Sequence, residues 1–194
     1  MYGGGGHVEH TSPEAIREAD AWLDVAAHTL LGRRIPVAKD GACFFHALAE
    51  QCQGWMPHSL RQQVVENMRG NERLRDFYAP ELPGDPATFD AYLERMCSPN
   101  THADHYCVQA AAVILNAAIW VLDATGPRTE LRREGSVHTP SRILSITHRR
   151  GHFDRLLLPL NVIQALRGSS TNTYLLPPTS RSPPLQPPCP PSAI

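Results

Sequence analysis

Two short stretches of this sequence carry residue types that could do chemistry together. The first is Asp40-Gly41-Ala42-Cys43-Phe44-Phe45-His46-Ala47-Leu48, where a cysteine stands between a glycine turn and an apolar, helix-forming run. The second is His148-Arg149-Arg150-Gly151-His152-Phe153-Asp154, far along the chain, where a histidine and an aspartate stand two apart. A thiol at a helix start meets the positive end of the helix, which favours the thiolate, the nucleophilic form. The turn's backbone N–H groups lack intrahelical partners and could converge on a developing oxyanion. Gly41 lets the backbone turn tightly there. On an extended strand His152 and Asp154 point to one side and Phe153 to the other. A carboxylate beside a histidine holds one ring nitrogen and aims the other at a nucleophile. A cysteine remote in sequence from a His–Asp pair is the arrangement of a cysteine hydrolase. Cys43, His152 and Asp154 are therefore the candidate catalytic residues, with Asp40, Gly41 and Ala42 as the candidate oxyanion turn. Asp40 before a glycine equally suits a plain turn former.

The remaining cysteines and histidines read as structural. Cys52, Cys97 and Cys107 lie in or beside helical patterns with no catalytic context, and Cys189 sits in a proline-rich tail. His46, one helical turn after Cys43, suits packing or the surface better than a second base. His102, His105 and His148 with Cys107 show no zinc-site spacing, so no metal and no organic cofactor is expected. His148 is expected in a loop near the cleft and Asp123 in a turn.

The elements that must position these residues follow from hydrophobic spacing. Ser12 as cap and Pro13 at the first position open a helix to about Leu30. Arg34-Ile35-Pro36-Val37 is extended, because the residue before proline avoids helix. A helix starts at Cys43 and its run ends at Gly54. Another begins near Ser59, with Leu60, Val64, Val65 and Met68 inward and Arg61, Gln62, Glu66 and Arg69 outward. Pro80 to Pro86 reads as a loop, and Asp90 to Met96 and Ala103 to Leu115 as helices. Ile119 to Leu122, Arg142 to Ile146 and Phe153 to Leu158 read as strands. Helices first and strands late predict an α+β fold, a small central sheet flanked by helices.

The 194 residues leave room for one domain and a tail. We expect a flexible lead over residues 1–10, a catalytic domain over 11–166 and a disordered Pro/Ser/Thr-rich segment over 167–194. Net charge is −1 with no basic stripe, which argues against a nucleic-acid partner. No apolar run is long enough to span a bilayer, and the glycine-rich start lacks the regions of a signal peptide. Five cysteines without a pairing pattern argue for a reducing, cytoplasmic setting. The proline tail reads as a linker, with an SH3-type ligand as the alternative.

Asp-Gly-Xaa-Cys with Phe two residues on resembles the nucleophile motif of the ovarian-tumour (OTU) family of cysteine proteases. His152-Phe153-Asp154 before an apolar strand resembles the family's histidine motif, and Ala103 to Ala112, with Gln109-Ala110, its middle motif. Ile119 to Leu122 matches the strand that follows. The resemblance runs from about Arg34 to Leu158 and departs where the family usually carries tryptophan and this chain has His102. It implies an OTU-like, papain-type fold and a thiol-dependent deubiquitinase. The partners implied are ubiquitin or polyubiquitin chains, or ubiquitin-like modifiers. Cys43 would be nucleophile, His152 base and Asp154 its orienting partner. His102, Asp104 and Phe153 are the candidates for substrate contact; the residues that grip the modifier's globular body are not identified. The alternatives are a non-catalytic ubiquitin-binding module of the same fold and a viral polyprotein-processing protease. Compactness and an Arg- and Pro-rich composition suggest a viral or bacterial member acting in a host cytoplasm.

Overall fold

The computed structural model describes residues 12–78, 85–124, 130–135, 137–169 and 173–175. Helix α1, Pro13–Thr29, opens as its sequence dictates: the Ala15 N–H donates to Ser12 Oγ, and Pro13 loses no hydrogen bond in the first turn. It ends where Leu31 adopts a positive φ, and the chain re-enters as strand β1, Arg33–Ile35. Pro36, which has no N–H, stops the ladder there. The order then runs α2 (Cys43–Ala49), α3 (Pro57–Arg69), α4 (Glu72–Phe77), α5 (Phe89–Cys97), α6 (His105–Ile114), β2 (Ala117–Asp123), β3 (Glu130–Gly135), β4 (Arg142–Arg149), β5 (His152–Leu157), α7 (Leu160–Gly168) and β6 (Thr173–Leu175).

The strands form one sheet in the order β1-β5-β4-β2-β3-β6, with β2 and β4 parallel and the other pairs antiparallel. Every residue of β2 is buried, because helices cover both faces of the sheet. Ile119 and Val121 join Phe44, Leu60, Leu93 and Val108 in the core under α2, α3, α5 and α6. Ala118, Trp120 and Leu122 join Leu23 and Ala27 of α1 and Leu166 of α7 on the other face. The α+β architecture with a central sheet between helices is the one expected from the sequence.

Several elements differ from the expectation. Strand β3, Glu-Leu-Arg-Arg-Glu-Gly, offers one aliphatic side chain to the core and is held as a strand by β2 and β6 on either side. Helices α4 and α7 are short and escape a reading based on long periodicity. Strand β4 continues to Arg149, so His148 lies on a strand rather than in a loop. Arg61 is buried although its helical position reads as outward. The segment expected as an unstructured tail needs correcting at Thr173–Leu175, which pair with Glu130–Arg132 of β3. The lead over residues 1–10, the proline run with Cys189 and most of the Pro80–Pro86 loop lie outside the described residues. Among the described residues no helix is long and apolar enough to cross a membrane.

The β4–β5 hairpin closes on the Arg149–His152 pair through Arg150 and Gly151, whose φ angles are 27° and 75°. Positive φ at both central residues matches the twist of the flanking strands. A Cβ at Gly151 would touch nothing within 4 Å, so a substitution there meets backbone strain alone. We expect Gly151→Ala to destabilise the fold by about 1 kcal/mol, read as a lower urea midpoint with an unchanged m-value.

Candidate active site

Proline chemistry starts the site. Because Pro36 ends the β1–β5 ladder at Ile35–Arg155, the next N–H, that of Val37, turns away from strand β5's backbone. It donates instead to Asp154 Oδ1 at 3.0 Å. The two-residue period of β5 sets His152 on the same side as Asp154, and His152 Nε2 lies 3.0 Å from the same oxygen. That leaves the other ring nitrogen, Nδ1, free of Asp154, and the Cys43 thiol lies near enough to the imidazole to help raise its pKa. The Phe153 N–H also donates to Cys43 Sγ, at 3.4 Å. Cys43, His152 and Asp154 are 0%, 8% and 3% exposed, so the three groups meet in a pocket nearly closed to water.

Hydrogen bonds and charges together outweigh burial in the electrostatics of the pair. The His152 imidazole is pushed up to about 9, first by the hydrogen bond with Asp154 and then by that with Cys43, against the opposing effect of burial. Burial alone would raise the Asp154 carboxyl. The hydrogen bonds from His152 and the Val37 N–H, with the charges of His152 and Arg34, together hold it below the usual carboxylate range. Arg34 Nη1 reaches Asp154 Oδ2 at 3.2 Å. The Cys107 thiol, buried beside Asp104, is by contrast pushed far up, chiefly by desolvation, which holds it neutral.

The thiol half is fixed by the turn before α2. The Ala42 N–H donates to Asp40 Oδ1 at 2.8 Å and the Cys43 N–H to the Asp40 carbonyl at 3.2 Å. Two N–H groups of the turn assigned to an oxyanion from the sequence are thus engaged by Asp40 in the free protein, and an oxyanion would have to compete for them. His46 Nε2 lies 3.6 Å from Asp40 Oδ2, facing the turn rather than the thiol. Gly41 is required for a reason the sequence does not display. Its φ is ordinary, but an added Cβ would fall 2.2 Å from the Asn100 carbonyl carbon. Arg61 holds that contact together. Its guanidinium donates to the carbonyls of Gly41 at 2.7 Å, Met96 at 3.0 Å, Thr101 at 3.0 Å and Pro99 at 3.3 Å, and stacks over the Phe45 ring. Burial lowers its pKa.

The three residues considered for substrate contact fall in different places. Asp104 caps α6 through the Cys107 N–H and accepts the Tyr92 hydroxyl, a structural task. The Phe153 ring is buried against Phe44 and His148, so its backbone reaches the site and its side chain the core. His102 is exposed on the loop between α5 and α6. Among the described residues no group of His, Cys, Asp and Glu could hold a metal ion. Sequence reasoning missed Arg34, Arg61 and the Val37 N–H; only the Ile-Pro pair after Arg34 hints at any of them.

Similarity to known proteins agrees with this geometry. The profile of the OTU-like cysteine protease family matches residues 38–153, more than half of the chain. OTU domain-containing protein 5 of Homo sapiens is 27% identical over 117 residues, 59% of this chain and 19% of that protein. The UDP-N-acetylglucosamine transferase subunit ALG13 of Homo sapiens is 28% identical over 152 residues, 77% of this chain and 12% of that protein. The chain thus matches a fifth or less of these curated relatives. Among solved structures, the OTU domain of OTUD1 superimposes with a TM-score of 0.58 at 18% identity, covering 73% of this chain and 95% of that one. An OTU deubiquitinase from Wolbachia pipientis wMel bound to ubiquitin gives 0.51 at 15% identity, covering 66% and 96%. At these identities the likeness is one of fold.

Two predictions come from the geometry. Asp154→Asn removes the anion that most raises the imidazole, so the His152 titration midpoint, followed by NMR, should fall from about 9 toward 6.5. In the unaltered protein the sign is fixed for both groups. His152 contributes stability that is full below its unfolded pKa and is lost as pH rises through about 9. Asp154 contributes stability present above its unfolded pKa and lost as pH falls through its depressed folded value. Arg61→Met should destabilise the fold by about 3 kcal/mol in urea unfolding, because it strands several buried carbonyls.

Proposed function

The chain belongs to the OTU-like cysteine protease family, and from that premise we propose that it is a thiol-dependent deubiquitinase acting on isopeptide bonds at the ubiquitin C-terminus. The observation that carries the reading is that β5 holds the His152 imidazole 3.0 Å from the Asp154 carboxylate and brings the Phe153 N–H, next to His152, onto the buried Cys43 thiol of α2. The ubiquitin-bound relative of the same fold supports the substrate class.

In the proposed reaction the Cys43 thiolate attacks the carbonyl carbon of ubiquitin's terminal glycine, with His152 protonated. The tetrahedral oxyanion takes N–H groups of the Asp40–Cys43 turn in exchange for Asp40. Each such donor is worth about 3 kcal/mol to the transition state. The C–N bond breaks as His152 passes its proton to the departing lysine amine, leaving a thioester on Cys43. His152, now neutral, takes a proton from water, whose oxygen attacks the thioester and restores the thiol with release of the ubiquitin carboxylate. Asp154 keeps the imidazole oriented throughout and stabilises its protonated form. A thiol nucleophile of this kind suits a reducing cytoplasm, and the four described cysteines are free. Polyubiquitin chains and ubiquitin-like modifiers are the partners that follow.

A ubiquitin probe bearing a C-terminal electrophile should label the protein at Cys43, with no labelling of Cys43→Ala. His152→Ala should lower kcat/KM on a fluorogenic ubiquitin amide by about a thousandfold or more. Binding of ubiquitin by the unaltered protein with neither labelling nor turnover would overturn the enzymatic reading in favour of a binding module.

A further inference from the structure

Asp154 has two oxygens, and the structure loads them unequally. Oδ1 serves the Val37 N–H and His152 Nε2, each at 3.0 Å. Oδ2 is met by Arg34 Nη1, at 3.2 Å. With the carboxylate almost wholly buried, an unmet Oδ2 could recover a partner only by rotation, and rotation swings Oδ1 off the imidazole. Arg34 is itself held. Its Nη1 also donates to Asp20 of α1, while its Nε and Nη2 donate to Asp24 at 2.9 and 3.1 Å. Asp24 is 60% exposed, so solvent screens that pair more than the one with Asp20. Asp20, 24% exposed, is the more buried anchor and does a second job: Arg149 Nε donates to the same Asp20 oxygen at 2.5 Å, and Arg149 is the strand residue paired with His152 across the hairpin. One carboxylate on α1 therefore ties both the residue behind Asp154 and the residue beside His152.

We infer that Arg34 is a positioning residue for the Asp154–His152 pair, clamped for that task by Asp20, so that helix α1 forms part of the active-site support. Asp20 and Arg34 lie outside the stretch matched by the family profile, which begins at residue 38. The inference rests on the catalytic reading of Cys43, His152 and Asp154. The charged and titratable groups facing the pair are Cys43 from α2, Arg34 from β1, Arg149 from β4, and Asp20 and Asp24 from α1. Loss of Arg34 removes a cation from the Asp154 carboxylate while leaving it buried, and both changes favour its protonated form.

The test uses reactions of the protein alone, so it can be read whether or not ubiquitin is the substrate. The rate of Cys43 alkylation by iodoacetamide, followed by mass spectrometry of the Cys43 peptide, is measured against pH for the unaltered chain, Arg34→Met, Arg34→Lys, Asp20→Asn and the Asp20→Asn/Arg34→Met double variant. All are held well below their unfolding temperatures. Arg34→Met should slow alkylation near neutral pH by about tenfold, the scale of a small misplacement at a reacting centre. Its acid-side fall should move to higher pH, and the Asp154 carboxyl carbon should titrate at higher pH by NMR. Arg34→Lys should restore part of the rate, Asp20→Asn should lie between, and the double variant should be no slower than Arg34→Met. Folded Arg34→Met that alkylates along the unaltered profile, or losses that add in the double variant, would overturn the inference. Should Arg34→Met fail to fold, Asp20→Asn decides: slowed alkylation with an ordinary unfolding midpoint supports the clamp, and an unaltered profile sinks it. An unaltered chain inert to the ubiquitin probe, yet showing these shifts, would remove the deubiquitinase reading and leave the clamp standing.

Discussion

A carboxylate that is 3% exposed stays ionised only if its surroundings replace the water it has lost, and the support of this site is arranged around doing that for Asp154. Three donors do it, and each comes from a different piece of the chain. The Val37 N–H is available because Pro36 cannot continue the ladder. His152 comes from two residues back on the same strand. Arg34 comes from the strand alongside, at the far side of the carboxylate. Removing one partner from such a buried charge costs several kcal/mol, far more than a surface pair would. The strand pairing of β1 with β5 thus has a chemical consequence: it sets the register that brings two of the three donors to one side chain.

Two buried arginines support the two halves of the site in different ways. Arg61 spends its donors on four main-chain carbonyls, which have dipoles but no charge, and burial lowers its pKa. Arg34 spends its donors on three carboxylates, and the bonds and charges of Asp24 and Asp20 outweigh burial and raise its pKa. The first is a staple for the main chain of the turn that carries Cys43; the second organises charge behind His152. A lysine could serve neither site fully, because a single ammonium cannot span separated acceptors in one plane as a guanidinium does.

The thiol and the imidazole were legible in the sequence because their requirements are local. A glycine turn feeding a helix and a His–Xaa–Asp strand are both short patterns whose geometry follows from backbone period alone. The order and faces of the main helices and of β2, β4 and β5 were legible for the same reason. Arg61 was not. Its helical position predicts solvent, and only the carbonyls of Gly41 and of the 96–101 stretch, brought over by tertiary packing, make burial favourable. Asp104 misled in the opposite sense: a carboxylate one residue before a helix is as good an N-cap as a cleft residue, and here it caps. Strand β3 was hidden because a strand between two neighbours can be held by its backbone, leaving its side chains free to be charged.

The turn before α2 poses the remaining physical question, since the groups needed for an oxyanion are already bonded. Asp40 accepts from Ala42 through its side chain and from Cys43 through its carbonyl. The two bonds differ in what breaking them costs. The Asp40 side chain is 46% exposed, so on release its carboxylate regains water and has His46 within 3.6 Å. A buried acceptor would have no such refuge, and the exchange would carry its full desolvation penalty. The tetrahedral oxyanion offers the Ala42 N–H an equally charged acceptor, so the swap trades one charge-assisted bond for another. The Cys43 N–H at 3.2 Å gives up a longer bond to a neutral carbonyl and gains a shorter one to an anion. In the proposed reaction the ground-state bonds would therefore keep the turn in shape before substrate arrives, and the exposure of the Asp40 side chain would let the transition state displace it.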